Sequence, residues 1–191
     1  GANVLDSFKN EFPDRFFMEG ISEQHIVGMA AGMALNGFIP YINTIATFLT
    51  RRCFEQNFID LGLHNTNVRL IASGGGLVYA PLGPTHLAIE DIAIMRTIPN
   101  MTIICPSDAN EMKFIMPQTL DHKGPIYIRL AKGYDPIVTD KFHNFKIGKA
   151  NKISDGKDIL LISTGITLQI CLEIMKSLKE KNISCSILHC T

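Results

Sequence analysis

These 191 residues lack several features that mark a chain for a particular partner or compartment. Eighteen basic residues balance eighteen acidic ones, and no basic run is interleaved with aromatic residues. Such a balance gives no support for a nucleic-acid partner or a membrane surface. No stretch approaches the roughly eighteen apolar residues of a membrane span, and the chain does not begin with a basic region followed by a hydrophobic segment. We therefore expect no membrane span, no signal peptide and a cytoplasmic location.

Cysteine pairs of the C-x-x-C type are also missing. The five cysteines are odd in number and fall mostly inside apolar runs: Cys53, Cys105, Cys171, Cys185 and Cys190. This usage is typical of reduced, buried thiols in cytosolic proteins rather than of a disulfide framework. We predict no metal site within this chain.

Short β-branched runs alternate with longer segments of helical period, which predicts βαβ units and a parallel sheet. Strands are predicted at 15–17, 39–43, 68–72, 102–105 and 126–130, and helices at 4–12, 22–35, 47–63, 87–96 and 110–120. In the segment CPSDANE, Ser107 or Asp108 is expected to cap a helix, with Glu111 completing the arrangement. The segment SGGGLVYAPLGPTH is too rich in glycine and proline for a regular element, so it is predicted to be a long, functional loop.

A second unit is predicted after a polar linker. The first domain spans 1–131, the linker 132–145 and the second unit 146–191, with strands at 159–163 and 184–189 around a helix at 167–181. A lone βαβ unit would leave an exposed two-stranded sheet, which is marginal in water. We therefore expect the chain to end inside a second domain.

Several side chains are candidates for chemistry, each with a plain structural alternative. Glu23 heads a nearly uncharged helix, where it either stabilises the helix dipole or serves a site. Phe48 and Arg51 are three residues apart, so they are predicted to share a helix face as a stacking ring and a cation, or as a core aromatic beside a solvated arginine. His86 lies at a predicted loop–helix junction, and Arg129 ends a strand; both are either structural or ligand-binding.

Each of these signals is weak alone, but four segments in a fixed order give the chain a resemblance to a known family. They are RFFMEGISEQHIVGMAAGMALNGFIPYINTIATFLTRR, GPTHLAIEDIAIMRTIPNM, CPSDANE and GPIYIRLAKG. In order and spacing they resemble the pyrimidine-binding domain of transketolases and 1-deoxy-D-xylulose-5-phosphate synthases. The resemblance implies a three-layer α/β domain with a parallel sheet, and the segment from residue 146 onward looks like the start of that family's C-terminal domain.

The resemblance implies thiamine diphosphate as cofactor. Glu23 matches the glutamate that hydrogen-bonds a pyrimidine nitrogen and drives the ring toward its imino form. A carboxyl that shares a proton cannot be held firmly ionised, so we expect Glu23 to be buried among Ile21, Ile26 and Phe48. Phe48 also matches the aromatic residue on which the pyrimidine stacks. Ile45 and Arg51 lie beside it in the same cofactor-binding segment.

The resemblance also assigns substrate-binding residues. His86 matches a catalytic histidine over the substrate channel, which bonds substrate oxygens as charge develops. Arg129 matches an arginine that holds the sugar phosphate. Leu82 departs from the family, which has an acid that contacts a substrate hydroxyl at this position. This departure puts the ordinary sugar-phosphate substrates in doubt.

The family holds the diphosphate and its Mg²⁺ on a separate domain with a G-D-G motif, and no G-D-G occurs in this sequence. The resemblance therefore implies that the chain is inactive alone. It would act with a diphosphate-binding domain in trans or upstream, in a homodimeric assembly.

The leading function is transfer of a two-carbon ketol unit between sugars or sugar phosphates. One alternative is a synthase that decarboxylates pyruvate and condenses it with glyceraldehyde phosphate. The β subunit of a 2-oxo-acid dehydrogenase is disfavoured by the RR and GPTH elements. A non-catalytic assembly module is the alternative of another class.

Overall fold

A four-stranded parallel sheet forms the centre of the first unit in the computed structural model, which describes residues 5–191. Its strands are β1 (Tyr41–Ile45), β2 (Arg69–Ser73), β3 (Thr102–Ile104) and β4 (Ile126–Leu130). They lie in the order β1-β2-β4-β3, and all three pairings are parallel. The predicted parallel sheet is confirmed.

Helices flank this sheet and continue into the second unit. They are α1 (Asp6–Glu11), α2 (Glu23–Leu35), α3 (Ala46–Leu49), α4 (Phe54–Gln56, continued by π-helical Asn57–Leu63), α5 (Asp91–Met95), α6 (Ala109–Asp121) and α7 (Thr167–Glu180). The predicted start of the first helix, Val4, lies outside the described residues. Among residues 5–191, no helix has both the length and the apolar character needed to cross a bilayer.

Side chains along β4 alternate between two hydrophobic cores. Ile126 and Ile128 belong to a cluster with Ile115 of α6, whereas Tyr127 belongs to a cluster with Val27 of α2. Successive side chains of a strand point to opposite faces, so the two clusters lie on opposite sides of the sheet. Hence α2 covers one face and α6 the other, which is the three-layer α/β arrangement that the resemblance implies.

Residues 15–17 do not form the strand predicted for them. Pro13–Arg15 is a 3-10 turn, in which the Phe16 N–H donates to the Pro13 carbonyl at 3.3 Å. Proline suits the first position of such a turn because its φ is already fixed there and it has no N–H to leave unpaired. Local turn chemistry therefore outweighs the β-favouring phenylalanines that follow.

The helix predicted over 47–63 is interrupted between α3 and α4. At the break, Thr50 Oγ1 donates to the Ala46 carbonyl at 2.8 Å. A threonine hydroxyl that bonds the carbonyl four residues back competes with the regular helical ladder. Phe48 lies in α3, whereas Arg51 lies in the turn that follows, so the prediction that they share one helix face is wrong.

The second unit is a three-stranded sheet with one helix. Its strands are β5 (Ala150–Ser154), β6 (Ile159–Thr164) and β7 (Cys185–Cys190), in the order β5-β7-β6. β6 and β7 pair in parallel around α7, which confirms the predicted βαβ unit. β5 pairs antiparallel with β7 and was not predicted. Its sequence, ANKIS, has too few apolar residues to show a strand pattern.

Buried polar side chains join the two units at the start of α6. Asp108 caps the helix by accepting the Glu111 N–H at 3.0 Å, as the CPSDANE segment predicted. Glu111 Oε2 accepts the Ser107 N–H at 2.7 Å and lies 3.0 Å from His189 Nε2 on β7. His189 Nδ1 lies 2.9 Å from Ser163 Oγ on β6. Glu111 and His189 are both fully buried, so this chain of contacts ties the second sheet to α6.

Candidate active site

The predicted site residues reach one edge of the first sheet from three directions. β1 ends at Ile45 and leads into α3, which carries Phe48, and β2 leads into the loop 74–90, which carries His86. β1 and β2 are parallel neighbours, so their carboxyl ends lie side by side, at the edge where α/β sheets usually bind ligands. Glu23 comes from the N-terminus of α2.

Glu23 is buried but has a charged neighbour. It is the first residue of α2 and is 6% exposed. Its Oε2 lies 2.8 Å from Nη1 of Arg52, whose side chain is 42% exposed. Ile21, which was expected to cover the carboxyl, is 91% exposed, so that expectation is wrong. Ile26 packs on the core instead. Because Arg52 pairs with its carboxyl, Glu23 does not have the purely apolar setting predicted for it.

Arg52 also lies over the ring of Phe48. The guanidinium carbon of Arg52 is 4.1 Å from the ring centroid, a cation–π contact. The His86 ring meets the same phenylalanine edge-on, with centroids 5.2 Å apart and planes at 67°. Ile45, at the end of β1, is half-buried. Sequence reasoning missed Arg52, for which the one available signal was the RR doublet after Phe48.

His86 is held within a loop rather than at the start of a helix. The predicted helix at 87–96 is shorter than expected, because α5 begins only at Asp91. His86 Nδ1 lies 2.9 Å from the Thr85 hydroxyl. The Thr85 carbonyl accepts a hydrogen bond from Thr47 Oγ1 of α3 at 3.1 Å, which links the loop to the segment that carries Phe48. These contacts place the imidazole beside the aromatic ring.

Arg51 contacts the loop that carries His86 at three residues. Its Nε lies 3.0 Å from Glu90 Oε1. Its Nη2 donates to the carbonyls of Pro84 at 3.0 Å and Leu87 at 3.2 Å. The side chain therefore fixes the shape of the segment around His86.

Arg129 is engaged by a buried carboxylate. Its Nε donates to Asp91 Oδ2 at 2.7 Å, and its Nη2 donates to the Ala88 carbonyl at 3.3 Å. The Tyr127 hydroxyl donates to the same Asp91 oxygen at 2.8 Å. Burial alone would lower the pKa of Arg129, but the hydrogen bond and charge of Asp91 outweigh it and raise that pKa. The guanidinium packs so closely under Gly75 that a Cβ there would come within 2.7 Å of it. Arg129 thus holds the start of the loop in place.

Two buried cysteines near these residues are poor nucleophiles. Burial, with a further contribution from the Glu23 carboxylate, raises the pKa of Cys53 to about 12 despite the opposing charge of Arg52. Burial likewise raises the pKa of Cys105 to about 11. Thiols with such pKa values are almost fully protonated near neutral pH, and the thiolate is the reactive form. Covalent catalysis by either cysteine is therefore disfavoured.

A cavity of about 310 Å³ opens beside Glu23, lined by Ile21, Ser22, Glu23, Gln24, His25 and Arg52. A second cavity, of about 470 Å³, lies between the ends of β2 and β4 and the start of α6, with Lys132 and Asp108 in its wall. Within residues 5–191, no group of three or more His, Cys, Asp or Glu side chains is arranged to hold a metal ion. The first cavity therefore offers a buried carboxyl and an adjacent arginine to a small ligand. Phe48 and His86 lie beyond that arginine.

Two protein-family models match the chain. Residues 1–134 match the family model of the transketolase pyrimidine binding domain, and residues 148–191 match that of the transketolase C-terminal domain. One subunit of an apulose-4-phosphate transketolase from Phocaeicola vulgatus is 35% identical over 98% of this chain and 61% of that protein. A 1-deoxy-D-xylulose-5-phosphate synthase from Geobacter sulfurreducens is 36% identical over 97% of this chain and 29% of that protein.

A solved structure agrees in fold. It is described as a split-gene transketolase in an inactive β4 tetramer, and it superposes with a TM-score of 0.86 at 34% identity. The match covers 95% of this chain and 59% of that one. This chain thus spans about three fifths of the transketolase subunit and of the split-gene protein, and a smaller part of the synthase.

Proposed function

Since this chain belongs to the transketolase family, we propose that it contributes the pyrimidine-binding part of a thiamine-diphosphate site. The enzyme it serves transfers a two-carbon ketol unit between sugars or sugar phosphates. One observation carries the proposal: a single side chain, Arg52, contacts both the buried carboxyl of Glu23 and the ring of Phe48. The two groups that recognise an aminopyrimidine are therefore within reach of one flat ligand.

The residues present fit that cofactor by their chemistry. A buried carboxyl can bond a ring nitrogen, and an aromatic face can stack a heteroaromatic ring. Thiamine diphosphate, when bound, supplies the carbon nucleophile that attacks a ketose. Glu23 holds and shares the proton at the pyrimidine nitrogen, Phe48 and Ile45 form the apolar wall, and Arg51 fixes the neighbouring loop.

His86 and Arg129 remain the proposed substrate residues. The contact between His86 and Phe48 supports a position for the imidazole beside the cofactor ring. Arg129 donates to Asp91 and to the Ala88 carbonyl, so it also positions the loop that carries His86. Leu82 is 56% exposed on the same loop and offers no acceptor to a substrate hydroxyl. This favours a ketose that differs from the common sugar phosphates.

Another domain, in trans or upstream, would hold the diphosphate and Mg²⁺. The likeness to a transketolase subunit and to a split-gene transketolase supports a partner in trans. A homodimeric assembly in the cytoplasm completes the proposal. The five free thiols of the chain suit a reducing compartment.

Reconstitution tests this function. This chain is combined with the polypeptide that carries the diphosphate-binding domain, thiamine diphosphate and Mg²⁺, and turnover of a ketose donor with an aldose acceptor is measured. We expect Glu23→Ala to lower turnover by at least about a hundredfold, the usual contribution of a general acid or base. Glu19→Ala removes an exposed carboxylate four residues upstream and should leave turnover unchanged. Full activity in Glu23→Ala would refute the assignment.

The synthase relative supports one alternative, which the same mixture separates. Activity that requires pyruvate and glyceraldehyde phosphate, with none from a ketose donor, would assign the chain to synthase chemistry. An assembly module without catalytic function predicts no effect of the cofactor on the stability of the complex. A cofactor that binds the folded complex must stabilise it.

A further inference from the structure

The Arg52 side chain bridges the two groups to which the pyrimidine is assigned. Its Nη1 lies 2.8 Å from Glu23 Oε2, and its guanidinium carbon lies 4.1 Å above the centroid of the Phe48 ring. A guanidinium is flat, positively charged and rich in N–H donors, so it can stack on a ring while it pairs with a carboxylate. An aminopyrimidine makes the same two kinds of contact. The arginine and the cofactor ring therefore require the same surfaces.

Both ligands cannot use these surfaces at once. Arg52 Nη1 occupies the hydrogen-bonding position at Glu23 Oε2, so a second strong donor cannot take that position while the arginine stays. The guanidinium also covers one face of the Phe48 ring. Binding of a pyrimidine to this face and this carboxyl requires the arginine to leave.

The backbone and the side chain of Arg52 have different contacts. The Arg52 carbonyl accepts a hydrogen bond from Gln24 Nε2 at 3.0 Å, which holds the main chain near α2. The side chain is 42% exposed and borders the 310 Å³ cavity. Its neighbour Arg51 is different, because Glu90 and two loop carbonyls hold its guanidinium. The contacts of the Arg52 guanidinium are to Glu23 and Phe48, the two groups that the pyrimidine would take over.

We propose that Arg52 is a displaceable counter-ion of Glu23, which occupies the pyrimidine site and withdraws when thiamine diphosphate binds. This inference rests on the proposed function. Before binding, Arg52 pairs with the buried carboxyl of Glu23 and covers the Phe48 ring. After binding, the pyrimidine takes the place of the guanidinium at both groups. Arg52 therefore competes with the cofactor for Glu23.

Removal of the Arg52 side chain should tighten the binding of thiamine diphosphate. A site that is available for only a fraction of the time binds with an affinity reduced by that fraction. If Arg52 occupies the site for about 70–90% of the time, Arg52→Ala should lower the Kd of thiamine diphosphate about three- to tenfold. Arg52→Lys retains the charge but not the flat stacking group, so its Kd for thiamine diphosphate should lie between those of the wild type and Arg52→Ala.

The experiment is a calorimetric titration of thiamine diphosphate with Mg²⁺ into the complex of this chain with its diphosphate-binding polypeptide. Arg96→Ala, which removes an exposed arginine after α5, is the matched control and should leave the Kd unchanged. NMR of labelled arginine gives an independent readout. The Arg52 side-chain protons over the Phe48 ring should lose their ring-current shift as the cofactor saturates the site.

The outcomes separate this inference from the proposed function. A lower Kd in Arg52→Ala, together with loss of the ring-current shift, supports the displaceable counter-ion. If thiamine diphosphate binds Glu23→Gln more weakly than the wild type, but binds Arg52→Ala no more tightly than the wild type, the Arg52 inference alone is overturned. No saturable binding in the wild type or in Arg52→Ala would overturn both.

Discussion

Asp108 bonds to two segments at once, so its replacement makes a sharp test of the fold. Its Oδ1 accepts the Glu111 N–H at 3.0 Å and the Thr139 hydroxyl at 2.7 Å. Its Oδ2 accepts the N–H groups of Val138 at 2.7 Å and Thr139 at 2.9 Å. One carboxylate therefore caps α6 and fixes the connection between the two units.

The expected cost of Asp108→Ala follows from these partners. Loss of an N-cap costs about 1 kcal/mol. The Thr139 N–H is buried, and a buried donor without an acceptor costs about 1–3 kcal/mol. The Val138 N–H is partly buried and adds less, because water reaches it. We expect the free energy of unfolding to fall by about 2–5 kcal/mol, a large share of the 5–15 kcal/mol of a typical domain.

Urea unfolding followed by circular dichroism measures this change. Asp108→Asn should lose nearly as much stability as Asp108→Ala. Its amide NH2 is a donor and would face the N–H donors of Val138 and Thr139. Asp121→Ala, at the exposed end of α6, is the matched control and should change stability by less than about 0.5 kcal/mol. If Asp108→Ala is as stable as this control, the carboxylate does not fix the connection, and the reasoning fails.

Two further predictions concern pH and the loop around Arg129. Burial would raise the pKa values of Asp108 and Glu111, but their hydrogen bonds outweigh it and hold both below the usual 3.8 and 4.5. The two carboxylates should therefore stabilise the fold fully above pH 4.5, and this stabilisation should be lost as the pH falls through their lowered pKa values. In urea titrations between pH 5 and 3, the wild type should lose more stability than Asp108→Ala. Equal losses in the two proteins would contradict this. Gly75→Ala would bring a Cβ within 2.7 Å of the Arg129 guanidinium and should cost about 1–3 kcal/mol by urea unfolding. Gly32→Ala meets no atom within 4 Å in α2 and should be neutral or slightly stabilising, so an equal loss in both variants would argue against the close packing of Arg129.

The sequence predicted the elements whose pattern is strong and local. The apolar run at β4 gave its bounds, and the CPSDANE segment gave the cap at Asp108. The turn at Pro13–Arg15 and the break at Thr50 were missed, because each depends on one side chain or ring acting against the surrounding propensity. β5 was missed because pairing with β7, rather than its own sequence, makes it a strand.

The site was predicted in part. The resemblance named Glu23, Phe48 and His86, and the fold brings Phe48 and His86 into contact. It did not indicate that Arg52 would lie between Glu23 and Phe48. Ion pairs between residues far apart in sequence depend on the path of the chain between them. Here the break after α3 turns Arg52 toward α2, which no helical periodicity predicts.

The central claim is that Glu23 is the proton partner of the cofactor pyrimidine. The most direct measurement is the rate of hydrogen–deuterium exchange at the thiazolium C2 position of thiamine diphosphate bound to the reconstituted complex, followed by quenched NMR. We predict that Glu23→Gln lowers this rate by at least about a hundredfold at saturating cofactor, in line with the usual contribution of a general acid or base. An exchange rate in Glu23→Gln equal to that of the wild type would contradict the claim.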